Sequence, residues 1–432
     1  MFCANLGYRW GDVAPDAGVS GLLCAASAVD IASAERRALP IQDPGALFFD
    51  PQLYMSALPL EDCERTCARL ATYPWFPLEV EEYDSDEMGR LEWVRGVTDD
   101  LEGRWPARLP TSRTEIQPYA QAAVEFQVGF PVSHLILPSP LVSDINSDLD
   151  DVMLWIDAGL QASQTVDLPR FATLAISDSC LLRDGSEDNP IIAIAIDQLT
   201  VREHLDGVYV VLEQTRGESR RLMHREVARA LLTLSHVLGQ DAGLGVFVNF
   251  AAEFGMVCRG AGAMGFAGGY ENKGRRLNFA DFVQRGGGGA LPRFFSAACI
   301  AEYLTATDLE RLRDQRLLWL FEDDRTPAGE PLLDALQAGR DASSVLGWQE
   351  DLNVVTEARK HYLQRLSAAE HELDGMDEDT RRAAVLQWLQ DAERNASYLN
   401  GRFQEDPLYE SGAHVEVWRS AYEEYLESYD LI

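Results

Sequence analysis

Acidic side chains stand at the carboxyl ends of several predicted strands, where parallel α/β barrels place their active sites. Asp50, Asp178 and Glu213 follow apolar runs directly or nearly so, and Glu253 follows the run that ends near Asn249. Converging carboxylates suit general acid–base or glycosidic chemistry, because one can stay protonated while another is ionised. They could equally act as nucleophiles or hold a divalent cation. The alternative is that each caps the helix that follows its strand.

A glycine turn followed by basic residues forms the second candidate site. Gly268 and Gly269 end a predicted strand and lead into Lys273, Arg275 and Arg276. Glycine lets backbone N–H groups approach an anion, and the basic side chains add charge and forked hydrogen bonds. Since barrels often bind phosphate after their seventh and eighth strands, we predict an anion site here. The alternative is a surface loop whose arginines pair with the acidic C-terminal helices.

One combination of these residues resembles a known family. A strand-end aspartate with a late Gly-Gly turn resembles the tRNA-guanine transglycosylases, with Asp50 or Asp178 as the carboxylate and Gly268-Gly269 as the turn. The resemblance implies base-exchange or N-glycosidic chemistry. The zinc-binding cysteine cluster of that family has no counterpart in this sequence, and the shared positions are few.

The elements that must position these residues are short apolar runs alternating with amphipathic segments. Runs beginning at 134, 171, 208 and 245 are evenly spaced by 37 residues, which leaves room for one helix and two loops. Helices are predicted between them, at 148–160, 190–204 and 221–238. The eight predicted strands are Leu47–Phe49, Phe76–Glu81, His134–Leu137, Phe171–Ile176, Val208–Leu212, Gly245–Phe250, Met264–Ala267 and Arg293–Ser296.

Eight such strands predict a (β/α)8 barrel of the TIM type with a helical C-terminal extension. An open doubly wound parallel sheet is the alternative, although no G-x-G-x-x-G fingerprint for dinucleotides occurs. We expect a loosely structured lead-in over 1–44, the barrel over 45–300 and an acidic helical region over 301–432. In the last helix, aromatic residues recur at helical spacing and form one face, which we expect to dock on the barrel or on neighbouring helices.

Composition limits the partners. The 432 residues carry a formal charge of −33, which argues against nonspecific binding to nucleic acid or to anionic membranes. Local basic pockets remain compatible with this charge, and the segment 254–300 has six basic side chains against two acidic ones. Lys273 and Lys360 are the only lysines beside 35 arginines, a bias that codon usage or bidentate anion binding could produce.

Targeting and redox signals are few. No apolar run is long enough to span a membrane, no secretory signal opens the chain, and the seven cysteines are scattered without a C-x-x-C pair. These patterns favour a reducing cytoplasm. Cys63 and Cys67 are four residues apart and could ligate a metal, but we interpret them as buried free thiols. The cofactor is unknown, and the carboxylates could hold a divalent cation.

The leading functional hypothesis is therefore a soluble barrel enzyme that acts on an anionic substrate, such as a phosphate-bearing or nucleotide-like molecule. Hydrolase, transglycosylase and lyase chemistry all stay open. The first alternative is a non-catalytic scaffold that binds a basic protein through its acidic helical end, and the second is an N-glycosidic enzyme without zinc.

Overall fold

An all-parallel barrel forms the centre of the protein. The computed structural model describes residues 1–7, 17–36, 39, 45–59, 63–76, 109–143, 148–182, 184–215, 221–222, 224–283 and 290–431. Within it the barrel strands are β1 (Phe2–Leu6), β2 (Gly21–Ala25), β3 (Ala46–Asp50), β4 (Leu135–Leu137), β5 (Leu141–Val142), β6 (Arg170–Ser177), β7 (Gly207–Glu213), β8 (Gly245–Asn249) and β9 (Gly265–Gly268). β4 and β5 both pair with β6, so they share one of eight positions around the barrel.

The strand order confirms the predicted TIM-type barrel. The sheet runs β3-β2-β1-β9-β8-β7-β6-β4 with every neighbouring pair parallel. Its two ends meet where the Ser133 amide donates to the Leu47 carbonyl over 2.9 Å and Ser133 Oγ accepts from the Leu47 amide over 2.8 Å. The sheet is therefore nearly closed, which differs from the open doubly wound alternative.

Two barrel strands lie where we expected a loosely structured lead-in. β1 and β2 fall within residues 1–44 and pair in register from Cys3 opposite Gly21. Their sequences, FCANL and GLLCA, are rich in small residues with low strand propensity, so periodicity does not single them out. Small size is required at Gly21, because a Cβ there would lie 2.6 Å from the Ala46 carbonyl oxygen and 2.7 Å from Cys3 Sγ.

One of the predicted strands lies outside the barrel, and another cannot be compared with the structure. Arg293–Ser296 forms β10, which pairs antiparallel with β11 (Ala301–Leu304) as a separate hairpin. It is apolar because it is buried under the C-terminal helices rather than in the barrel wall. The second prediction, Phe76–Glu81, lies outside the described residues from position 77 onward.

Helices cover the outside of the barrel and build the C-terminal region. Their bounds are α1 (Ile31–Arg36), α2 (Glu64–Leu70), α3 (Arg113–Gly129), α4 (Asp148–Ala162), α5 (Pro190–Thr200), α6 (Arg225–His236), α7 (Phe254–Gly260), α8 (Asn272–Arg275), α9 (Glu310–Asp314), α10 (Glu330–Gln337), α11 (Thr356–Asp374), α12 (Glu378–Arg402) and α13 (Ala413–Ser428). Three of the predicted helices are confirmed as α4, α5 and α6. α5 begins where predicted because Asn189 caps it and Pro190 occupies its first turn.

Aromatic rings from strands on opposite sides fill the lower part of the barrel interior. The Phe48 ring lies 4.7 Å from both the His134 and the Phe247 rings, measured between centroids. Gly207 leaves room for Phe171, whose ring would lie 2.3 Å from a Cβ at that position. This apolar layer supports the polar side chains above it, at the carboxyl ends of the strands.

The C-terminal helices pack directly on the barrel. α11 contacts β1 and β10, and α13 lies along α6. The predicted aromatic face of α13 docks as expected: Trp418 Nε1 donates to the Leu222 carbonyl over 2.8 Å, and its ring lies 5.2 Å from that of Phe254. Among the described residues, no helix combines the length and the apolar character needed to cross a membrane.

Candidate functional site

A cavity of about 810 Å³ opens at the carboxyl ends of the barrel strands. Its floor includes Asn5 of β1, Gln52 just after β3 and Phe250 just after β8, and α8 forms part of its wall. Cavities of this volume hold ligands of metabolite or nucleotide size. The cavity is therefore the candidate active or binding site of the barrel.

Two cations line the wall of this cavity. Arg69 lies in the last turn of α2, and Lys273 lies in α8, within the glycine-rich segment that we predicted from sequence. The Lys273 ammonium sits 4.9 Å from the centroid of the Phe282 ring. Partial burial of the ammonium group and the charge of Arg69 lower the pKa of Lys273. Two like charges at one wall favour an anionic ligand between or beside them.

Two further arginines on the cavity wall are already engaged by carboxylates. Arg359 Nη2 and Nε contact Glu271 Oε1 at 2.5 and 3.1 Å, and Arg293 Nε contacts Glu302 Oε2 at 2.9 Å. The Arg293 guanidinium also lies over the Tyr270 ring, 4.7 Å from its centroid. Glu271 and Glu302 therefore balance much of the charge of these two arginines.

A chain of buried polar groups runs beneath the floor. Asn5 Nδ2 donates to Asn249 Oδ1 over 2.8 Å, and Asn249 Nδ2 donates to the Tyr209 hydroxyl over 2.5 Å. The Tyr209 hydroxyl then donates to Asp50 Oδ2 over 2.8 Å. Asn5 Nδ2 also donates to the Gly274 carbonyl over 2.7 Å. The barrel interior is thereby linked to the backbone beside Lys273.

Asp50, predicted as a catalytic carboxylate, is the buried end of this chain. Its side chain is fully buried and also accepts from the Tyr54 hydroxyl over 2.5 Å and from the Gln52 amide over 3.0 Å. Burial raises the pKa of Asp50 to about 6, although these hydrogen bonds favour the ionised form. Gln52 adopts a left-handed backbone, with a φ of 53°, that brings its side chain to the cavity floor. Asp50 therefore underlies the cavity without lining it.

Asp178 and Glu213 come together at the ends of β6 and β7, apart from Asp50. Ser177 Oγ donates to Glu213 Oε2 over 2.6 Å, while the Thr215 hydroxyl and amide donate to the two Asp178 oxygens over 2.6 and 3.0 Å. Burial, with a smaller contribution from Asp178, raises the pKa of Glu213 to about 7. Neither carboxylate lines the cavity. Of the four predicted carboxylates, Asp178 and Glu213 are the two that lie close together.

The fourth predicted carboxylate, Glu253, belongs to a buried ion-pair cluster. It is fully buried and bound to Arg221, and Arg275 Nη1 lies 3.7 Å from its Oε1. Burial alone would raise the pKa of Glu253, but Arg221 and Arg275 hold it below its usual value. A carboxylate between two buried arginines stays ionised, so the geometry fits a structural role better than the predicted acid–base role.

Two residues of the predicted anion site are engaged by the protein itself. Arg275 is buried, donates from Nε to the Gly269 carbonyl over 3.0 Å and binds Glu302 Oε1 with Nη2 at 2.6 Å. Arg276 Nε binds Asp281 Oδ2 at 2.8 Å. Because Arg275 is buried and Glu302 lies in β11, this ion pair differs from the alternative of a surface loop whose arginines pair with the acidic C-terminal helices. A basic side chain can bind either a ligand or a protein carboxylate, and sequence alone does not decide which.

The two predicted glycines shape the wall beside Lys273. Gly268 ends β9, and a Cβ at Gly269 would lie 3.4 Å from the Cα of Gly274. Close backbone approach at this point lets α8 fold back over β1. Gly269 and Gly274 both line the cavity. The absence of side chains at Gly269 and Gly274 thus allows the close packing that places Lys273 on the cavity wall.

Several residues of the site were not predicted from sequence. Asn5 is a polar residue inside an otherwise apolar strand, which is a usable signal once β1 is recognised. Arg69 gives no comparable signal, because only the fold brings α2 next to α8. In the described part of the chain, no group of three or more His, Cys, Asp or Glu side chains is placed to hold a metal ion.

Comparisons with known families, sequences and structures found no relative of this chain. No family model matches the chain, no curated protein sequence matches it, and no solved structure matches it. The function is therefore inferred from the cavity and the residues that line it.

Proposed function

We propose that this protein is a barrel enzyme that binds an anionic small molecule in the cavity beside Lys273 and Arg69. The observation that carries the proposal is the position of these two cations on the wall of an 810 Å³ cavity at the carboxyl end of the barrel. Enzymes with this fold work at that end. Phosphate-bearing and nucleotide-like molecules fit both the charge and the volume.

The polar chain below the floor supports the same proposal. Asn5 and Gln52 are polar residues that line the cavity, and Asn5 holds the backbone of the turn that carries Lys273. A few convergent polar groups in a largely apolar cavity are typical of sites that orient a ligand. Phe250 and Leu363 supply apolar surface for the uncharged part of that ligand.

A thermal-shift experiment with two anionic probes, inorganic pyrophosphate and adenosine monophosphate, tests the proposal. A ligand that binds only the folded protein stabilises it by about 2.7 kcal/mol at one hundred times its Kd. We expect at least one probe to raise the Tm saturably, and Arg69→Ala to weaken that effect at least tenfold. Arg394→Ala, which changes an arginine that is 71% exposed, is the matched control.

Two results would overturn the proposal. One is that neither probe changes the Tm of the wild-type protein. The other is that Arg69→Ala and Arg394→Ala respond to the probes as the wild type does, which would place anion binding outside the cavity.

A further inference from the structure

The chain uses lysine at only two positions, and one of them lies on the cavity wall. Arginine supplies 35 of the 37 basic side chains, so a cation that only had to bind an anion would ordinarily be an arginine here. A guanidinium stays protonated in proteins, whereas a lysine amine can lose its proton and act as a nucleophile. Lysine at position 273 therefore supplies a chemistry that the other cavity cations lack.

The surroundings of Lys273 make its ammonium easier to deprotonate than that of an exposed lysine. Its Nζ lies over the Phe282 ring, a cation–π contact that favours the charged form, but Lys273 is partly buried in the cavity wall that also carries Arg69. In the part of the chain that the structure describes, no carboxylate lies within 4 Å of Nζ, although Asp281 and the Cys63 thiol are near enough to oppose the effect of Arg69. Partial burial and Arg69 outweigh them and lower the pKa of Lys273. Desolvation and a neighbouring cation are two recognised ways to activate a lysine.

The other lysine has a different environment. Lys360 Nζ binds Glu357 Oε1 at 2.8 Å in the first part of α11, and Lys360 does not line the cavity. An ion pair of this kind favours the charged form, so Lys360 is expected to be a poor nucleophile near neutral pH. The chain thus contains its own control for the reactivity of Lys273.

We propose that Lys273 is a catalytic nucleophile that forms an imine with an aldehyde or ketone group of an anionic substrate. The inference rests on the proposed function, because it assumes that the anion occupies the same cavity. Arg69, which keeps its charge, holds the phosphate or carboxylate group of the substrate. The substrate class is therefore a carbonyl compound that also carries an anionic group.

The covalent step balances without any further reagent. The ammonium of Lys273 first loses a proton, and the amine attacks the carbonyl carbon to form a C–N bond while the π electrons move to oxygen. That oxygen takes up two protons in all and leaves as water, so ammonium and carbonyl give a protonated imine and one water molecule. The imine withdraws electrons from the adjacent carbon, which permits a bond to that carbon to break. A lyase reaction follows most directly from this chemistry.

Reductive trapping of the full-length protein tests the inference. Pyridoxal 5′-phosphate serves as the probe because it joins an aldehyde to a phosphate, and sodium borohydride converts any imine into a stable amine. Mass spectrometry of the two lysine-containing peptides then measures labelling at each position. Near pH 7 we expect Lys273 to be labelled at least tenfold faster than Lys360, with saturation at high probe concentration and slower labelling when pyrophosphate is added.

Two variants distinguish the role of the Lys273 amine as a nucleophile from the role of its positive charge in anion binding. Lys273→Arg keeps the positive charge, so we expect it to lose the label at position 273 while pyrophosphate binding weakens by no more than about threefold. Lys360→Arg should leave labelling of Lys273 unchanged. Equal labelling of the two lysines in a wild-type protein that binds pyrophosphate would overturn the imine and leave the anion site standing. Absence of pyrophosphate and probe binding would instead overturn both proposals.

Discussion

Asn5 Nδ2 donates to the carbonyl oxygen of Gly274 over 2.7 Å and thereby ties the first barrel strand to the turn that carries Lys273. The same amide group donates to Asn249 Oδ1, so one side chain serves both the barrel interior and the cavity wall. A lysine on a four-residue helix would otherwise have little to fix its position, because so short a helix is not stable by itself. We regard this contact as the main support of the candidate site.

Replacing Asn5 tests that support. Asn5→Ala removes both hydrogen bonds of the amide, and we expect a loss of roughly 1–3 kcal/mol in the free energy of unfolding together with at least fivefold weaker pyrophosphate binding. Asn395→Ala removes a similar hydrogen bond, to the Ala298 carbonyl at 2.9 Å, away from the cavity. We expect Asn395→Ala to lose stability but to bind pyrophosphate as tightly as the wild type does. Calorimetric titration measures the affinity of each variant for pyrophosphate, and equal affinities would contradict the role of Asn5.

The acid–base state of Asp50 predicts a pH dependence of stability. Burial raises the pKa of Asp50 to about 6 in the folded protein, above the usual value of 3.8 that applies after unfolding. Between these two pH values the folded state binds the proton of Asp50 more tightly than the unfolded state does. The contribution of Asp50 to the free energy of unfolding is therefore most favourable below about pH 4 and is lost as the pH rises to 6. Asp50→Asn removes this titration.

The measurement is the difference in Tm between wild type and Asp50→Asn across pH 3.5 to 8. Because other groups titrate in both proteins, only the difference reports on Asp50. We expect the wild type to lose stability relative to the variant as the pH rises through 4 to 6, and the difference to be flat above pH 7. A difference that is constant over the whole range, or that changes with the opposite sign, would contradict the raised pKa.

The buried ion pairs make Glu302 important for stability rather than for ligand binding. Burial opposes ionisation, yet Arg275 and Arg293 hold the pKa of Glu302 at about 2. Glu302→Gln would leave the two arginines without their shared carboxylate charge, and we expect a loss of about 3–5 kcal/mol in the free energy of unfolding. Urea denaturation measures this loss.

A double-mutant cycle with Arg275→Met sharpens that prediction. Since both residues belong to one pair, the double variant should lose clearly less stability than the two single variants together. The exposed ion pair of Arg394 with Asp391 is the control. Breaking this pair should lower the free energy of unfolding by no more than about 0.5 kcal/mol. Additive losses for Glu302 and Arg275 would show that they do not interact as the structure indicates.

Removing residues 301–432 should unfold the barrel. α11 packs against β1, and Glu370 binds the Met1 ammonium at 2.8 Å and Arg259 at 3.3 Å. The aromatic face of α13 also buries Trp418 against the barrel side. We expect the truncated chain to lose its cooperative thermal transition, as measured by circular dichroism. A truncated chain that melts as cooperatively as the full chain would show that the barrel folds independently of these helices.

Sequence patterns predict the barrel well where strands are long, apolar and evenly spaced. β6, β7 and β8 meet these conditions, and the helices between them follow from their spacing. β1 and β2 do not, because alanine, cysteine and glycine carry little strand signal, and Arg293–Ser296 has a strand pattern that is satisfied by hairpin pairing outside the barrel. Local pattern predicts a strand, but only tertiary packing determines which sheet it joins.

The candidate site is predictable only in part, for a related reason. The glycine-rich segment draws attention to Lys273 and Gly269, which line the cavity, because glycines and a cation are local properties of the sequence. The fate of Arg275 depends on Glu302, and the contribution of Arg69 depends on how α2 packs beside α8. Such pairings join segments that are distant in sequence, so single-sequence reasoning cannot assign them.

Calorimetric titration of inorganic pyrophosphate into the full-length protein shows whether the cavity beside Lys273 and Arg69 binds an anion. We expect one binding site per chain, an affinity that falls with increasing salt, and at least tenfold weaker binding in Arg69→Ala but not in Arg394→Ala. Binding that is undetectable in the wild type, or that is equally strong in Arg69→Ala, would contradict it.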